Sequence, residues 1–162
     1  MRIHFICTGN VYRSRLAEAW CVSRQVPGIE VSSSGIAAGR ESLDPISPWA
    51  AEVLARYGLD SFASGHWQPT TRSLVEASDV VVFMESEHRR FCADWIQPGR
   101  QRVEVWEIED IGPMPAEEIP GKVERTFRLI RERTDRLLES LGGDGQALGA
   151  PDRVKNAPKR SL

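Results

Sequence analysis

The sequence predicts an α/β domain of three layers, α/β/α, built around a four-stranded, parallel, twisted sheet. Four short apolar segments alternate with segments of helical periodicity, and this alternation is typical of right-handed βαβ units. One of them, residues 79–84, holds three consecutive valines followed by Phe and Met, as expected for a strand buried on both faces. With 162 residues, the chain is long enough for one such domain with a sizeable core.

Turn residues set the bounds of the elements in the first half of the chain. Pro27-Gly28 ends the first helix, and Gly58 is a suitable left-handed stop for the second. The second helix begins at Asp44-Pro45 or at Ser47-Pro48, since proline is favoured in a first helical turn. The predicted order is a strand at residues 3–6, a helix from about Ser14, a strand at residues 29–32 and the helix that stops at Gly58.

Apolar periodicity defines the second half of the chain. The last helix, at residues 124–141, carries Phe127, Ile130, Leu137 and Leu138 on one face. Before it come a short helix at 74–77, the strand at 79–84, a helix at 85–95, a strand at 103–106 and a proline-rich loop at 107–120. After Gly142 the periodicity ends, so we assign residues 1–142 to the domain and expect residues 143–162 to form a disordered tail.

Composition argues against several classes of function. The formal net charge of −2 gives no reason to expect a nucleic acid or a membrane surface as partner. No apolar run approaches the roughly 20 residues that span a bilayer, and Met1-Arg2 leads directly into a strand without a signal peptide. Cys7, Cys21 and Cys92 are odd in number and lack metal-ligand spacing. We therefore predict a cytoplasmic protein without disulfides, metal or cofactor, with Cys21 and Cys92 in its core.

The loop between the first strand and the first helix is a predicted anion site. A helix N-terminus has backbone N–H groups without intrahelical partners, and its dipole favours negative charge. We expect Cys7 to place a thiolate nucleophile beside the phosphate that these N–H groups bind. The forked guanidinium of Arg13 would bind two phosphate oxygens, and Ser14 would donate a hydrogen bond to the thiolate. The expected phosphate-binding residues are Thr8, Gly9, Asn10, Val11, Tyr12, Arg13 and Ser14.

Phosphoryl transfer through a cysteine also needs a general acid for the leaving group and then a base for water. The candidate carboxylates are Asp44, Glu107, Glu109 and Asp110. We favour Asp110 because it lies in a Pro- and Gly-rich loop just past the fourth strand. The carboxyl ends of parallel strands meet at one edge of the sheet, so this loop would converge with the Cys7 and Ser34 loops.

The segment CTGNVYRS at residues 7–14, followed by LAEA, resembles the signature Cys-x-Gly-Asn-x-x-Arg-Ser of the low-molecular-weight protein tyrosine phosphatases. Further resemblances, in family order over roughly residues 3–141, are Ser33-Ser34-Gly35, Asp44-Pro45, Gly58-Leu59-Asp60 with His66, residues 82–85 and residues 106–110. The resemblance implies a phosphatase loop between first strand and first helix, with Cys7 as nucleophile, Arg13 as phosphate clamp and Asp110 as acid and then base. It also implies a loop-supporting network of Asn10, Ser14, Ser34 and His66.

The substrate implied by the resemblance is a phosphorylated protein, with phosphotyrosine first and a tyrosine kinase as one candidate partner; the chain itself would be a monomer or weak dimer. Departures from the family pattern leave the substrate open. The usual Asp-Pro and aromatic pair are replaced by Asp110-Ile111-Gly112-Pro113, and the connection after Gly35 lacks the common aromatic residue. Trp49, Trp67 or Tyr12 would then have to supply the wall of a substrate slot.

Two other activities of the same fold stay open as alternatives. A phosphoarginine phosphatase would use the same loop. An arsenate reductase would need resolving cysteines close together, whereas Cys92 stands alone in a predicted helix. Arg15 stands where the family usually has a proline, and we expect it to add positive charge near the rim of the site.

Overall fold

The computed structural model describes residues 1–40 and 44–142, which form five α-helices and four strands. The helices are α1 (Arg13–Ser23), α2 (Pro48–Tyr57), α3 (Arg72–Glu76), α4 (Ser86–Phe91) and α5 (Ile119–Leu141). The strands are β1 (Arg2–Cys7), β2 (Glu30–Gly35), β3 (Val80–Phe83) and β4 (Arg102–Val105). The predicted tail at residues 143–162 lies outside the described residues.

The four strands form one parallel sheet in the order β2-β1-β3-β4, so β1 is paired on both sides. Cys7 at the end of β1 is opposite Gly35, and Ile6 is opposite Phe83. Phe83 is in turn opposite Val105 at the end of β4. All four carboxyl ends therefore meet at one edge, where ligands bind in sheets of this kind.

Helices cover both faces of the sheet, which confirms the predicted three layers. Phe5 and Val82 belong to a core cluster shared with α1, α2 and α5. Ile6, Val81 and Phe83 point to the other face, where they pack with Val75 of α3 and with Cys92 just after α4. The alternation follows from the two-residue period of a strand. It also explains why every residue of β3 is buried, as its valine run predicted.

Three helices differ in their bounds from the sequence-based ones, and the first is α3, which lies at Arg72–Glu76 where residues 74–77 were predicted. The segment predicted as one helix to Trp95 is α4, which ends at Phe91, followed by a short 3-10 turn at Ala93–Trp95. The last helix begins at Ile119, five residues before the predicted start, because Pro120 occupies its first turn, where proline is tolerated. The predicted face of α5 is confirmed, since Phe127, Ile130, Leu137 and Leu138 are all buried.

The start and stop of α2 follow the turn chemistry of the sequence. The Ser47 side chain accepts a hydrogen bond from the Ala50 N–H, and Pro48 is the first helical residue, so the second of the two predicted starts is correct. Gly58 ends the helix in the left-handed conformation, with φ of 66°. None of the helices in the described part of the chain is long and apolar enough to span a membrane.

Candidate active site

The loop at residues 8–12 is held against the end of β2. The Ile36 N–H donates to the Cys7 carbonyl at 3.0 Å, and the Ala37 N–H donates to the Thr8 carbonyl at 2.9 Å. Gly35 lies so close to the loop that a Cβ there would be 2.5 Å from the Thr8 carbonyl oxygen and 2.7 Å from the Asn10 nitrogen. Glycine is therefore required at this position for the loop to take its shape.

Asn10 organises the loop from the inside. Its φ of 56° is in the left-handed region, which asparagine tolerates better than most residues. Its side chain is completely buried, and its Oδ1 accepts from the Gln68 N–H at 2.9 Å. The two Nδ2 hydrogens go to Ser14 Oγ at 2.9 Å and to Ser33 Oγ at 2.8 Å. The buried amide is thus fully satisfied, and its orientation is fixed.

Hydrogen-bond counting gives the direction of the contact between Ser14 and Cys7. Ser14 Oγ and Cys7 Sγ are 3.0 Å apart. Since Ser14 Oγ already accepts from Asn10, its own hydrogen is available for the sulfur, and the Asn10 N–H also donates to that sulfur at 3.3 Å. Two donors directed at one sulfur favour the thiolate over the thiol.

A buried carboxylate lies at the other end of this chain of hydrogen bonds. Glu18 on α1 is 5% exposed and accepts from the Ser33 hydroxyl. Ser33 Oγ is therefore free to accept the Asn10 amide hydrogen. Glu18 also accepts from the Ser64 N–H and the Ser64 hydroxyl, both at 3.2 Å. Sequence reasoning left Glu18 and Ser33 out of the network, although Glu18 lies in the quoted LAEA segment.

Arg13 lies at the start of α1, 1% exposed, with its guanidinium tied to the opposite side of the site. Nη1 donates to Glu85 Oε2 at 2.5 Å and to the Ile108 carbonyl at 2.7 Å, and Nη2 donates to Asp110 Oδ2 at 2.8 Å. Burial alone would lower the pKa of Arg13, but the charges of Cys7, Asp110 and Glu85 outweigh it and raise that pKa. The guanidinium therefore remains charged in place.

Asp110 is the candidate carboxylate that contacts Arg13. One of its oxygens contacts Arg13, the other accepts from the Ile111 N–H at 2.9 Å, and half of the side chain is exposed. Glu109 points away instead and pairs with Lys122 at 3.1 Å, with 80% of its side chain exposed. Glu107 is also exposed, in a left-handed conformation with φ of 50°. The structure thus separates Asp110 from its neighbours in sequence.

Two residues after β3 complete the surroundings of Arg13. Glu85 contacts the guanidinium directly, and its N–H donates to Nδ1 of His88 at 3.0 Å. The His88 proton is then on Nε2, which donates to Thr8 Oγ1 at 3.0 Å. Burial, and then the Arg13 charge, lower the pKa of His88 to about 4, so the ring is neutral near pH 7. Neither residue was a sequence-based candidate, although both follow a strand at the active edge.

Within the described residues, neither His66 nor Ser34 makes a side-chain hydrogen bond to the loop at residues 8–12. His66 is exposed, and its ring contacts Trp67, including the Trp67 carbonyl at 2.9 Å, without reaching the phosphatase loop. The backbone N–H of Gln68, two residues later, makes the contact with Asn10. Ser34 is buried but lies one step from the loop, bonded to Nε2 of His4 and to Thr70, both at 2.7 Å.

The start of α1 leaves backbone donors available for an anion. Tyr12 occupies the N-cap position, and no described side chain caps the helix there. The first-turn N–H groups, including those of Arg13 and Ser14, therefore lack the capping partners that Ser or Asp would supply. Together with Arg13, they make this end of α1 suited to a phosphate group. The described residues contain no group of three or more His, Cys, Asp or Glu side chains placed to hold a metal ion.

A groove of about 280 Å³ adjoins the loop at Gly9 and Val11. Trp49 is its aromatic wall and is 37% exposed. Tyr12 is buried, with its ring edge-on to Trp49, and Trp67 packs over Gly39. Neither ring therefore lines this groove, although both were candidates for the wall of a substrate slot. The lining residues are Gly9, Val11, Ala37, Gly39, Asp44, Ser47, Pro48 and Trp49.

Comparison with known proteins agrees with this fold and this loop. The sequence matches the family described as low molecular weight phosphotyrosine protein phosphatase over residues 2–147. It is 35% identical over 85 residues to EpsP, a probable low molecular weight protein-tyrosine-phosphatase of Ralstonia nicotianae. That match covers 52% of the chain and 56% of the relative, so the chain spans about half the length of this relative.

Two further similarities extend over most of the chain. Arsenate reductase 2 of Staphylococcus haemolyticus is 32% identical over 142 residues, which is 86% of the chain and 94% of the relative. The structure of YwlE arginine phosphatase from Geobacillus stearothermophilus is 25% identical, with a TM-score of 0.68 over 90% of the chain and 99% of that structure. Phosphotyrosine, phosphoarginine and arsenate chemistry are therefore all represented among similar proteins.

The family match spans β1 to α5 and includes the loop in which Cys7, Ser14 and Arg13 are brought together. Fold, loop geometry and sequence match therefore lead to one conclusion. The chain belongs to the low molecular weight phosphotyrosine protein phosphatase family.

Proposed function

We propose that the protein is a cysteine-dependent phosphatase that hydrolyses phosphomonoesters through a phosphocysteine intermediate, with Cys7 as nucleophile. The observation that supports this most directly is the pair of donors, Ser14 Oγ and the Asn10 N–H, directed at Cys7 Sγ beside a buried Arg13. Such donors stabilise a thiolate, and the thiolate is the nucleophilic form of cysteine.

In the first step, the Cys7 thiolate attacks phosphorus and forms an S–P bond while the bond to the leaving oxygen breaks. Protonated Asp110 gives its proton to that oxygen, so the alcohol or phenol departs neutral. In the second step, the Asp110 carboxylate takes a proton from water as the water oxygen attacks phosphorus. The S–P bond breaks, phosphate is released, and the returning thiolate accepts the hydrogen bond of Ser14.

Arg13 is the phosphate clamp in this proposal. Four of its five N–H groups are committed to Glu85, Ile108, Thr8 and Asp110, with the Thr8 contact the longest at 3.4 Å. The Nε–H has no partner among the described residues, and is the donor left for a phosphate oxygen. Exchange of the long Thr8 contact for a second phosphate oxygen would complete a bidentate clamp.

Protein phosphotyrosine is the substrate that we propose first, with a phosphorylated tyrosine kinase as one candidate partner. The family description and the Ralstonia relative both carry this specificity in their names, and Trp49 offers an aromatic wall beside Val11. The arginine phosphatase of similar structure makes phosphoarginine the second candidate. With phosphotyrosine, phosphoarginine and phosphoserine peptides, kcat/KM is expected to be highest for phosphotyrosine; a higher value for phosphoarginine would reverse the order.

The similarity to an arsenate reductase supports the fold more than the reaction. A redox enzyme of that type would need a second cysteine able to reach Cys7. Cys92 is completely buried in the core cluster on the opposite face of the sheet, and burial raises its pKa to about 11. Cys21 is also buried, and burial raises its pKa to about 12. The presence of three free cysteines is the reason for proposing a reducing, cytoplasmic location.

The decisive experiment replaces the nucleophile. Cys7→Ser is expected to reduce the hydrolysis of p-nitrophenyl phosphate by at least about 1000-fold, because a serine hydroxyl is a far weaker nucleophile at neutral pH. Cys92→Ala is the matched control and is expected to retain the wild-type rate. A Cys7→Ser variant that retains the wild-type rate would end the proposal.

A further inference from the structure

Arg15 is a buried arginine whose guanidinium contacts the backbone of the phosphatase loop at Asn10. It is 1% exposed and is one of the two largest fully buried side chains in the described part of the chain. The sequence led us to expect a rim position, and the structure corrects this. A buried guanidinium is unfavourable unless hydrogen bonds or an opposite charge compensate it.

All the hydrogen bonds that Arg15 makes within the described residues go to backbone carbonyls. Nη1 donates to the Asn10 carbonyl at 3.3 Å and to the Pro45 carbonyl at 3.0 Å, and Nη2 donates to the Ser64 carbonyl. These three carbonyls belong to the phosphatase loop, the connection before α2 and the segment after the 3-10 turn at Asp60–Phe62. Arg15 therefore joins three separate segments behind the site.

The charge of Arg15 lacks a direct ionic partner in the described structure. The nearest carboxylate on its own helix, Glu18, forms hydrogen bonds with Ser33 and Ser64 and no salt bridge with Arg15. The Nε–H of Arg15 is buried without a hydrogen-bond partner among the described residues. Burial lowers the pKa of Arg15, and the charges of Glu18 and Cys7 oppose this.

The contact with Asn10 has a directional consequence for the loop. The Asn10 carbonyl and the Val11 N–H belong to one peptide group, and in a trans peptide they point in opposite directions. Holding that carbonyl towards the buried guanidinium turns the Val11 N–H outwards. A carbonyl that accepts from a cation also makes its own peptide N–H a stronger donor. The Val11 N–H has no partner within the described residues.

We propose that Arg15 is a positioning residue for phosphate binding: through the Asn10 carbonyl it aims the Val11 N–H into the anion cradle and places positive charge behind it. The proposal rests on the proposed function, since it assigns the same loop a second cationic support besides Arg13. It gives the arginine at this helix position a role that the resemblance does not supply.

Other charged groups also surround Cys7, and the test must leave them unchanged. Arg13 lies at the helix start, Asp110 and Glu85 approach from the ends of β4 and β3, and Glu18 lies behind Ser33. The buried histidines His4 and His88 have pKa values lowered to about 4, chiefly by burial, and are therefore mostly neutral from pH 5 to pH 9.

The test measures alkylation of Cys7 by iodoacetamide from pH 5 to pH 9, with and without inorganic phosphate, by mass spectrometry of the Cys7 peptide. Arg15→Met keeps most of the volume and removes both charge and donors, while Arg15→Lys keeps the charge and at least one donor. Arg24→Met is the matched control, since Arg24 is a partly buried arginine that faces Asp135 and Trp20 at the other end of α1. Cys7→Ser checks that the label is specific.

We expect Arg15→Met to need about tenfold more phosphate for half-protection, as for loss of a hydrogen bond involving a charged group. Arg15→Lys should recover at least half of this loss of phosphate affinity, and Arg24→Met should not show it. The proposal would be overturned if Arg15→Met needed no more phosphate for half-protection than the wild type. It would also be overturned if Arg15→Met and Arg15→Lys lost phosphate affinity equally.

Circular dichroism establishes whether each variant is folded. If Arg15→Met is not folded, Arg15→Gln takes its place, and wild-type protection by phosphate in that variant overturns the proposal. These measurements require no turnover. A wild-type protein that binds phosphate as expected but hydrolyses no phosphomonoester would refute the proposed function and leave the role of Arg15 standing. Normal hydrolysis together with unchanged phosphate binding in the Arg15 variants would refute only the role of Arg15.

Discussion

Two carboxylates contact Arg13, and their surroundings suit them to different tasks. Glu85 lies within 2.5 Å of Nη1, and one third of its side chain is exposed. Asp110 contacts Nη2 at 2.8 Å and has half of its side chain in solvent. An acid that protonates a leaving group and then activates water must reach both. Asp110 fits that requirement, whereas Glu85 is placed to orient the guanidinium.

Replacement of Asp110 by asparagine tests the acid role. We expect kcat/KM for phenyl phosphate, whose leaving group needs a proton, to fall by about 100-fold, and for p-nitrophenyl phosphate by less than about tenfold. Loss of the ion pair with Arg13 affects both esters alike, so the difference between them reports proton transfer. Glu109→Gln is the control, since Glu109 pairs with Lys122. Equal losses for the two esters would count against Asp110 as the acid.

At the scale of the elements, the site is the place where a helix start meets the ends of neighbouring strands. Cys7 is the last residue of β1, and Arg13 is the first residue of α1. Gly35 is the last residue of β2 and lies directly against the loop backbone. Parallel pairing in the register of Cys7 with Gly35 brings these chain ends together. The shape of the loop is therefore set by strand pairing as much as by the loop's own residues.

A methyl group at Gly35 should disturb the loop from outside. In Gly35→Ala the new Cβ would lie 2.5 Å from the Thr8 carbonyl oxygen, so the loop backbone must move. We expect a loss of about 1–3 kcal/mol of unfolding free energy and a fall of at least about tenfold in kcat/KM. Gly65→Ala is the control, because a Cβ there meets no atom within 4 Å. Wild-type kinetics in Gly35→Ala would show that the loop does not depend on this contact.

At the scale of the whole molecule, the structure buries two histidines, His4 and His88. His4 on β1 contacts Ser32 and Ser34, and His88 on α4 contacts Thr8. Burial lowers the pKa of His4 from 6.5 to about 4, and burial with the Arg13 charge lowers that of His88 to about 4. Between about pH 4 and pH 6.5, the unfolded chain therefore binds more protons than the folded chain.

This difference predicts an acid-sensitive fold. The stabilisation is fully present above about pH 6.5 and is lost as the pH falls towards 4, with a slope of up to about 1.4 kcal/mol per pH unit for each histidine. The free energy of unfolding, measured with urea between pH 4.5 and 7.5, should depend less steeply on pH in His4→Gln than in the wild type. An unchanged slope in His4→Gln would contradict the prediction.

The local sequence pattern around Cys7 predicted the part of the candidate site whose residues are close together in the chain. A strand, a seven-residue spacing from Cys7 to Ser14 and a helix start are local features, so Cys7, Asn10, Arg13 and Ser14 could be identified without tertiary information. The alternation of apolar segments likewise predicted the parallel sheet and its three layers. The single-residue step from Ser34 to Ser33 could not be predicted, because neighbouring strand residues face opposite sides of the sheet.

By itself, the sequence determined the fold class and the position of the phosphatase loop, and it left several loop carboxylates as candidates for the acid. Only the tertiary structure decided that Ser33 and Glu18 orient Asn10, that Glu85 and His88 flank the loop, and that Arg15 is buried behind it. These contacts join residues far apart along the chain or depend on which face of a helix is covered. Strand register and helix packing fix such distances, and neither can be read from residue spacing alone.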